Sequence, residues 1–242
     1  FIEEGAKEEP KNPVLLSVDY DPSTQPELSP MAEAILIHCF KRDIPVIITC
    51  LHPGGPGLAL EVSNNASEMM NAVYGEDYIF LGYSVGGSIV ILSMGENIRQ
   101  VFPVDYYGTP VDEYPIMEDV ENYDDILISI SLSGSTYPDV WVAYAHERYD
   151  ANIAAGVTAV MAADYYPYLQ TGQMVGLLGG LKGAAEYEKL IEYEKMFGRL
   201  GNGIKGMDAQ TVIHLFIVVI VLLGNIAYAV NLRHERKESL KS

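Results

Sequence analysis

Short, continuous apolar runs alternate with stretches of helical periodicity through most of the chain. The runs VLLSVDY (14 to 20) and PVIITCL (45 to 51) are rich in Val, Ile and Leu and predict strands that are buried on both faces. Between them, Ser29 followed by Pro30 is typical of a helix start, because Ser caps the first turn and Pro fits the first helical position. This region therefore predicts a strand, a helix and a second strand in succession.

The same alternation continues to about residue 195. Further strands are predicted at 77 to 83, 125 to 133 and 153 to 162, and further helices at about 58 to 74, 86 to 98, 138 to 148 and 171 to 195. The polar, proline-bearing segment 101 to 124 predicts a loop. Alternating strands and helices with right-handed crossovers form a parallel sheet covered on both faces. Residues 13–197 therefore predict a Rossmann-like three-layer α/β domain with a mainly parallel sheet, preceded by a linker at 1–12.

A stretch near the carboxyl end, Thr211 to Val230, contains no Asp, Glu, Lys or Arg. A helix of about 20 residues matches the roughly 30 Å hydrocarbon core of a bilayer. A buried core helix is the alternative, but a long helix with no polar face at the end of the chain is untypical of one. We predict a transmembrane helix at 211–231, with a linker at 198–210 before it and a basic tail at 232–242 after it.

The charges beside this span predict its orientation. Four basic residues follow the span: Arg233, Arg236, Lys237 and Lys241. Only Arg199 and Lys205 lie in the residues just before it. Because positive residues stay on the cytoplasmic side, we expect a cytoplasmic carboxyl terminus and an extracytoplasmic α/β domain. A first residue of Phe1 in place of Met fits either an upstream signal peptide or an earlier membrane helix.

Two features predict a membrane-protein partner or a homo-oligomer. Gly224 and Asn225 lie inside the span, where a small residue and a polar amide are typical of a helix-packing face. The Gly-rich predicted helix also carries small residues throughout 172–185, which permit close approach of another helix. That second packing demand is either internal or made by a partner subunit.

Composition excludes some function classes. The formal net charge of -18 argues against a nucleic-acid partner, since phosphate binding requires clustered Lys and Arg. The two cysteines, Cys39 and Cys50, match no zinc or redox spacing, and buried thiols or a disulfide both remain open. The segment GYSVGG lacks the third glycine of a dinucleotide fingerprint and no Walker lysine follows any loop, so no cofactor is indicated.

Polar residues and glycines follow each of the first four predicted strands. In a parallel sheet, ligands bind outside the carboxyl ends of the strands, so we predict a ligand site there. Its predicted residues are Asp19, Asp21, Gly54, Gly55, Gly86, Gly87 and Ser135. Ordinary βα turns use the same residue types for backbone reasons, which is the alternative interpretation. Asp19 and Asp21 could hold a divalent cation, but an Asx turn before Pro22 is the favoured interpretation, and no metal site is predicted.

The sequence Gly82-Tyr83-Ser84-Val85-Gly86 has the spacing of a nucleophile elbow. The turn HPGGPG (52 to 57) also resembles the glycine-rich oxyanion turn of some α/β-hydrolases. In that family a histidine base follows the nucleophile, and the later histidines lie in a predicted helix, the span and the tail: His146, His214 and His234. His52 could act as base only in a different geometry. Catalysis by Ser84 with His52 is therefore retained as the alternative function.

Three segments, PVLLSVDYDPSTQPELSPMAEAILIHCF, YGEDYIFLGY and GQMVGLLGGLKGAAEYEKL, are followed by a single span. Together they resemble a family of prokaryotic membrane-anchored hypothetical proteins that has no assigned activity. The resemblance covers nearly the whole chain, implies an upstream hydrophobic segment and supplies no catalytic residues. We therefore expect a membrane-anchored binding or assembly subunit of a membrane protein complex in preference to an enzyme. The alternative is a membrane-tethered serine hydrolase.

Overall fold

A computed structural model describes residues 1–8 and 11–239, with side chains described as far as Asn231. Within this part of the chain, six parallel strands form one sheet in the order β3-β2-β1-β4-β5-β6. The strands are β1 (Val14–Asp19), β2 (Val46–Cys50), β3 (Tyr78–Tyr83), β4 (Ile128–Ser133), β5 (Ile153–Val157) and β6 (Gly176–Gly179). This arrangement confirms the predicted Rossmann-like α/β fold, and each described strand pair is parallel.

Helices cover both faces of the sheet. They are α1 (Ile2–Gly5), α2 (Gln25–Lys41), α3 (Pro56–Met70), α4 (Ser88–Met94), α5 (Ile98–Val101), α6 (Tyr137–Trp141), α7 (Glu147–Tyr149), α8 (Ala162–Thr171), α9 (Gly180–Leu190), α10 (Tyr193–Phe197) and α11 (Asn202–Ser239). A π-helical turn, Val142–His146, joins α6 to α7. Apolar side chains of α2, α3 and α9 form the core on one face, and those of α4, α6 and α8 form the core on the other.

The start of α2 differs from the sequence prediction. The helix begins at Gln25, four residues before the predicted Ser cap, and Pro26 lies in its first turn. Pro30 lies inside the helix, where its missing N–H removes one backbone hydrogen bond. Pro26 already occupies a first-turn position, which needs no intrahelical N–H donor. The helix therefore starts there, and Pro30 falls in its interior.

The predicted helix at 171–195 is wrong over its first half. Gly176–Gly179 forms the edge strand β6, which pairs with β5 through Ala154 opposite Gly176. Gly180 has a φ of +59°, a left-handed conformation that turns the chain directly from β6 into α9. In α9, Gly183, Ala184 and Ala185 are buried within the domain, so their small size serves internal packing.

The carboxyl-terminal helix α11 is continuous over 38 residues. Within its part Asn202–Asn231, an 18-residue apolar window has a mean hydropathy of 2.5 and none of that window is buried, so the helix is long and apolar enough to cross a membrane. The chain divides into two compact units, the first ending at Ile204 and the second beginning at Lys205. The predicted linker at 198–210 thus includes the first turns of α11, and Lys241 of the predicted tail lies outside the described residues.

A buried carboxylate meets the first turn of α11. Glu188 of α9 is 2 % exposed, and it accepts hydrogen bonds from the N–H groups of Gly203 (2.7 Å) and Ile204 (2.9 Å). These amides belong to the helix N-terminus, whose first N–H groups lack intrahelical partners. The carboxyl group is thus placed at the positive end of the helix dipole.

Both cysteines are free and fully buried. Burial raises the pKa of each thiol, of Cys39 and of Cys50, to about 12. The single S–H of Cys50 is shared between the carbonyl oxygens of Val18 and His52, which lie 3.0 and 2.9 Å from the sulfur. The two thiols are therefore protonated core groups and form no disulfide.

Candidate functional site

The predicted ligand residues lie at the carboxyl edge of the sheet. The strand order reverses between β1 and β4, and ligands of open α/β sheets bind at such a switch point. In the register of these strands Asp19 lies opposite Ser133, and Ser133 Oγ donates to the carbonyl of Asp19 at 3.1 Å. Ser133 Oγ also lies 3.1 Å from Ser135 Oγ in the loop after β4, so Ser133 links this loop to the end of β1.

The Asp19 carboxyl is the central group of this site. Asp19 is 1 % exposed. Its Oδ1 accepts a hydrogen bond from the Leu51 N–H at 2.6 Å, and its Oδ2 accepts one from Ser17 Oγ at 2.7 Å. Burial raises the pKa of Asp19 to about 6, although hydrogen bonds from Ser17 and Leu51 partly oppose this effect. A carboxyl that titrates near this pH can accept or release a proton, as acid–base groups of functional sites do.

A polar face of the sheet surrounds this carboxyl, and the sequence analysis did not identify it. Five hydroxyl side chains share the face with Asp19, each at most 1 % exposed: Ser17, Thr49, Ser129, Ser131 and Ser133. The buried indole of Trp141 in α6 lies on this side. The available signal was the strict alternation of Ile or Leu with Ser in β4, which places every Ser on one face.

Several polar atoms of this face have no hydrogen-bond partner among the described residues. They are Thr49 Oγ1, Ser129 Oγ, Ser131 Oγ and Trp141 Nε1. The Ser131 hydroxyl and the Trp141 N–H still lower the pKa of Asp19, because they lie near its carboxyl without forming a full hydrogen bond to it. Buried polar groups are normally paired, so this face has unused capacity to bind polar atoms beside the switch point.

Asp21 has a local role. Its Oδ1 accepts from the backbone N–H of Ser23 at 2.8 Å and from Ser23 Oγ at 2.6 Å, which forms the expected Asx turn. These hydrogen bonds hold the pKa of Asp21 below its usual value. Among the described residues, no group of three or more His, Cys, Asp or Glu side chains could hold a metal ion.

The four predicted glycines each have a backbone or packing reason. A Cβ on Gly55 would overlap Cys50 Sγ and the carbonyl oxygen of Val18, and one on Gly54 would lie 2.9 Å from Asp21 Cβ. Gly86 and Gly87 have φ values of +122° and +40°, which side chains disfavour. Gly54 and Gly55 thus let the β2 loop pack closely against Asp21 and Val18, and the role of all four glycines in ligand binding remains a prediction.

Ser84 follows β3 directly and is half-buried. Its N–H donates to the carbonyl of Cys50 at 3.0 Å, which continues the pairing of β3 with β2. The positive φ angles of this loop belong to Gly82, Gly86 and Gly87, and Ser84 is not among the residues with positive φ. The strained serine backbone of a nucleophile elbow is therefore absent at this described position.

His52 does not offer Ser84 a base. Its Nδ1 accepts a hydrogen bond from the backbone N–H of Gly54 at 3.1 Å. A neutral imidazole with an accepting Nδ1 carries its proton on Nε2, so its second nitrogen is a donor. In the described residues no hydrogen bond joins His52 to Ser84, whereas the His52 ring lies edge-on to Tyr137 at 6.3 Å between centroids.

Comparisons with known proteins add no function to this geometry. Family models, curated proteins and solved structures were all searched, and none matches the chain. The resemblance to membrane-anchored hypothetical proteins therefore stays a prediction. The features of this chain that bear on function are the buried Asp19, the polar face around it and the apolar helix α11.

Proposed function

We propose that this protein is a membrane-anchored binding subunit of a membrane protein complex. In this proposal α11 is the anchor, and the loops at the carboxyl edge of the sheet form the binding site. The observation that carries the proposal is the long apolar window within Asn202–Asn231. No part of this window is buried. A fully exposed apolar surface of this length is stabilised by lipid or by another protein surface.

The polar face supports the binding role. Asp19 lies buried at the switch point, with the unpartnered hydroxyl of Thr49 on the same face, so a ligand bound by the adjoining loops would lie beside a titrating carboxyl and unused hydrogen-bonding capacity. A small ligand or a partner loop with hydrogen-bond donors suits this combination. The Ser84 hydrolase alternative has no comparable support, because His52 Nδ1 already accepts from Gly54.

Gly224 and Asn225 support association within the membrane. A Cβ on Gly224 would meet no atom within 4 Å, so this position of α11 is open to a neighbouring helix. The amide of Asn225 is polar in an apolar helix and is stabilised in lipid by a partner's hydrogen-bonding group. On the charge distribution beside the span, the α/β domain is proposed to be extracytoplasmic and the tail cytoplasmic.

The test uses the full chain in its native membrane. Alkaline extraction should leave the chain in the membrane fraction, and mild detergent should release it with a stoichiometric partner or as a homo-oligomer. We expect the double substitution Gly224→Leu and Asn225→Leu to reduce this association, measured by light scattering after size exclusion. Val219→Leu is the matched control, since Val219 lies about 140° around α11 from Gly224.

Two results would contradict the proposal. One is release of the chain into the aqueous fraction by alkaline extraction. The other is a wild-type protein that is a lone, stable monomer in mild detergent at every concentration measured.

A further inference from the structure

A largely apolar cavity lies on the sheet face opposite Asp19. Its volume is about 270 Å³, and it is bounded by β4, β5 and β6 on one side and by α2 and α9 on the other. Apolar lining residues include Ile35, Ile128, Ile130, Ala154 and Leu178. We call this cavity, together with the α1 residues at its mouth, the α1 groove.

Small residues leave the space open. Ala154 of β5 lies opposite Gly176 of β6 in the strand register, where large branched side chains are typical of a buried parallel sheet. A Cβ on Gly176 would make only ordinary contact with Ala154, at 3.5 Å. The volume is close to the lower end of the roughly 300–1,000 Å³ range of ligand pockets, so the groove suits a small apolar group.

The mouth of the groove holds a carboxylate. Oε1 of Glu3, in α1, accepts from Arg42 Nη2 at 2.7 Å, from Arg42 Nε at 3.0 Å, and lies 3.0 Å from His38 Nε2. These contacts hold the pKa of Glu3 down, to about 2. His38 lines the cavity, and Arg42 lies outside its lining but contacts the same Glu3 oxygen, so two side chains hold a carboxylate at the mouth through three nitrogen atoms.

Tyr187 sets the orientation of His38. The Tyr187 hydroxyl lies 2.7 Å from His38 Nδ1, and burial raises the pKa of Tyr187, which keeps this hydroxyl protonated. Burial also lowers the pKa of His38, which favours the neutral ring. With Nδ1 accepting from Tyr187, the Nε2–H of His38 donates to the carboxylate.

The carboxylate of Glu3 is weakly held by its own segment. Helix α1 has only four residues, which is too short for independent stability, and the Glu3 side chain is 56 % exposed. Exposed ion pairs contribute little to folding, because solvent screens them. Replacement of Glu3 on Arg42 and His38 by another carboxylate would therefore require only a displacement of the exposed Glu3 side chain, while Ile2 and Ala6 of the same segment stay packed against the core.

We propose that the α1 groove binds a medium-chain fatty acid, with its carboxylate on Arg42 and His38 in place of Glu3 and its alkyl chain in the apolar cavity. The complementarity is twofold: a positive guanidinium meets the carboxylate, and an apolar lining meets the chain. This inference is independent of the switch-point site, since the two lie on opposite faces of the sheet.

The experiment uses the full chain in lipid nanodiscs and a diazirine-bearing decanoic acid as the probe. After irradiation, cross-linked peptides are mapped by mass spectrometry. We expect labelled peptides from α2 and β4–β6, with labelling that decanoate removes and decanol does not. Labelling of α11 by probe dissolved in the lipid provides an internal reference.

Three variants give results of different sign. Arg42→Ala should reduce groove labelling roughly tenfold by removing charged donors, and Ala154→Leu should reduce it by filling the cavity. Glu3→Ala should raise labelling at low probe concentration, because it removes the competing carboxylate. Arg148→Ala, an exposed arginine in α7, is the matched control and should change nothing.

A purely structural role for Glu3 gives a different pattern. In that case Glu3→Ala and Arg42→Ala would both release α1 and would change labelling in the same direction. That outcome overturns the proposal, and so does labelling confined to α11 or an unchanged signal in Ala154→Leu.

Discussion

Replacing Asp19 by Asn should stabilise the folded protein at neutral pH. The Asn side chain has nearly the same shape and keeps an oxygen to accept from the Leu51 N–H, while the Ser17 hydroxyl can reverse and accept from the new amide. The substitution removes the cost of a buried negative charge. It therefore imitates the protonated state of Asp19 at every pH.

The magnitude follows from the pKa of the carboxyl. Burial raises the pKa of Asp19 from 3.8 to about 6, a change of roughly two units, and each unit corresponds to about 1.4 kcal/mol. The folded state binds this proton more tightly than the unfolded state, so the free energy of unfolding falls as pH rises from about 4 to about 6. Above that range the wild type should be less stable than Asp19→Asn by up to about 3 kcal/mol. At pH 4 the difference should shrink to less than about 1 kcal/mol.

The assay is urea unfolding of the full chain in mild detergent, at pH 4 and at pH 7.5. Trp141 is the single tryptophan of the chain and lies on the same face as Asp19, so its fluorescence reports this region. Only the difference between wild type and variant is used, because other groups titrate in the same range. Asp21→Asn is the control: hydrogen bonds from Ser23 lower the pKa of Asp21, so this change should slightly destabilise the protein at pH 7.5.

A lower stability of Asp19→Asn than of the wild type at pH 7.5 would refute the predicted cost of the buried charge. A stability difference that is the same at both pH values would also refute it. If the variant is more stable at neutral pH, the wild-type carboxyl is kept at a cost in stability, which is typical of a residue retained for function.

Three further predictions concern single positions. Glu188→Ala should lower the free energy of unfolding by about 2 kcal/mol, since it leaves two amides of the first turn of α11 without their acceptor, and Glu188→Gln should recover part of the loss in the same urea assay. Gly55→Ala should lower it by more than about 1 kcal/mol because its Cβ overlaps the Val18 carbonyl, and a neutral effect would contradict the packing argument. A fluorophosphonate probe should label wild type and Ser84→Ala equally weakly, and labelling lost only in Ser84→Ala would restore the hydrolase hypothesis.

Much of the fold could be predicted because its signals are local. The strands β1 to β3 coincide with largely apolar runs and β4 with an alternation of Ile or Leu with Ser, and the turns after these strands contain the expected Asp, Ser and Gly residues. The edge strand β6 could not be found in this way. It has only four residues in a Gly-rich segment, and its strand conformation depends on pairing with β5, which is a contact distant in sequence.

The candidate site was predictable only in part. Asp19 was found because it ends a buried strand, whereas its raised pKa depends on three strands and on burial beneath α6. The contact of Glu3 with His38 joins positions 35 residues apart, and no local pattern indicates it. Ser84 shows the opposite case, since its motif has the right spacing but its φ is not positive and no hydrogen bond joins it to His52 among the described residues.

The two buried cysteines make the chain its own reporter of conformational opening. A thiol that is shielded from solvent and protonated reacts with alkylating reagents only when the surrounding structure opens. The rates of alkylation of Cys39 in α2 and of Cys50 at the end of β2, measured in one time course, would thus report the transient opening of two separate regions. An added surface cysteine could also be tagged selectively, with both natural thiols left in place.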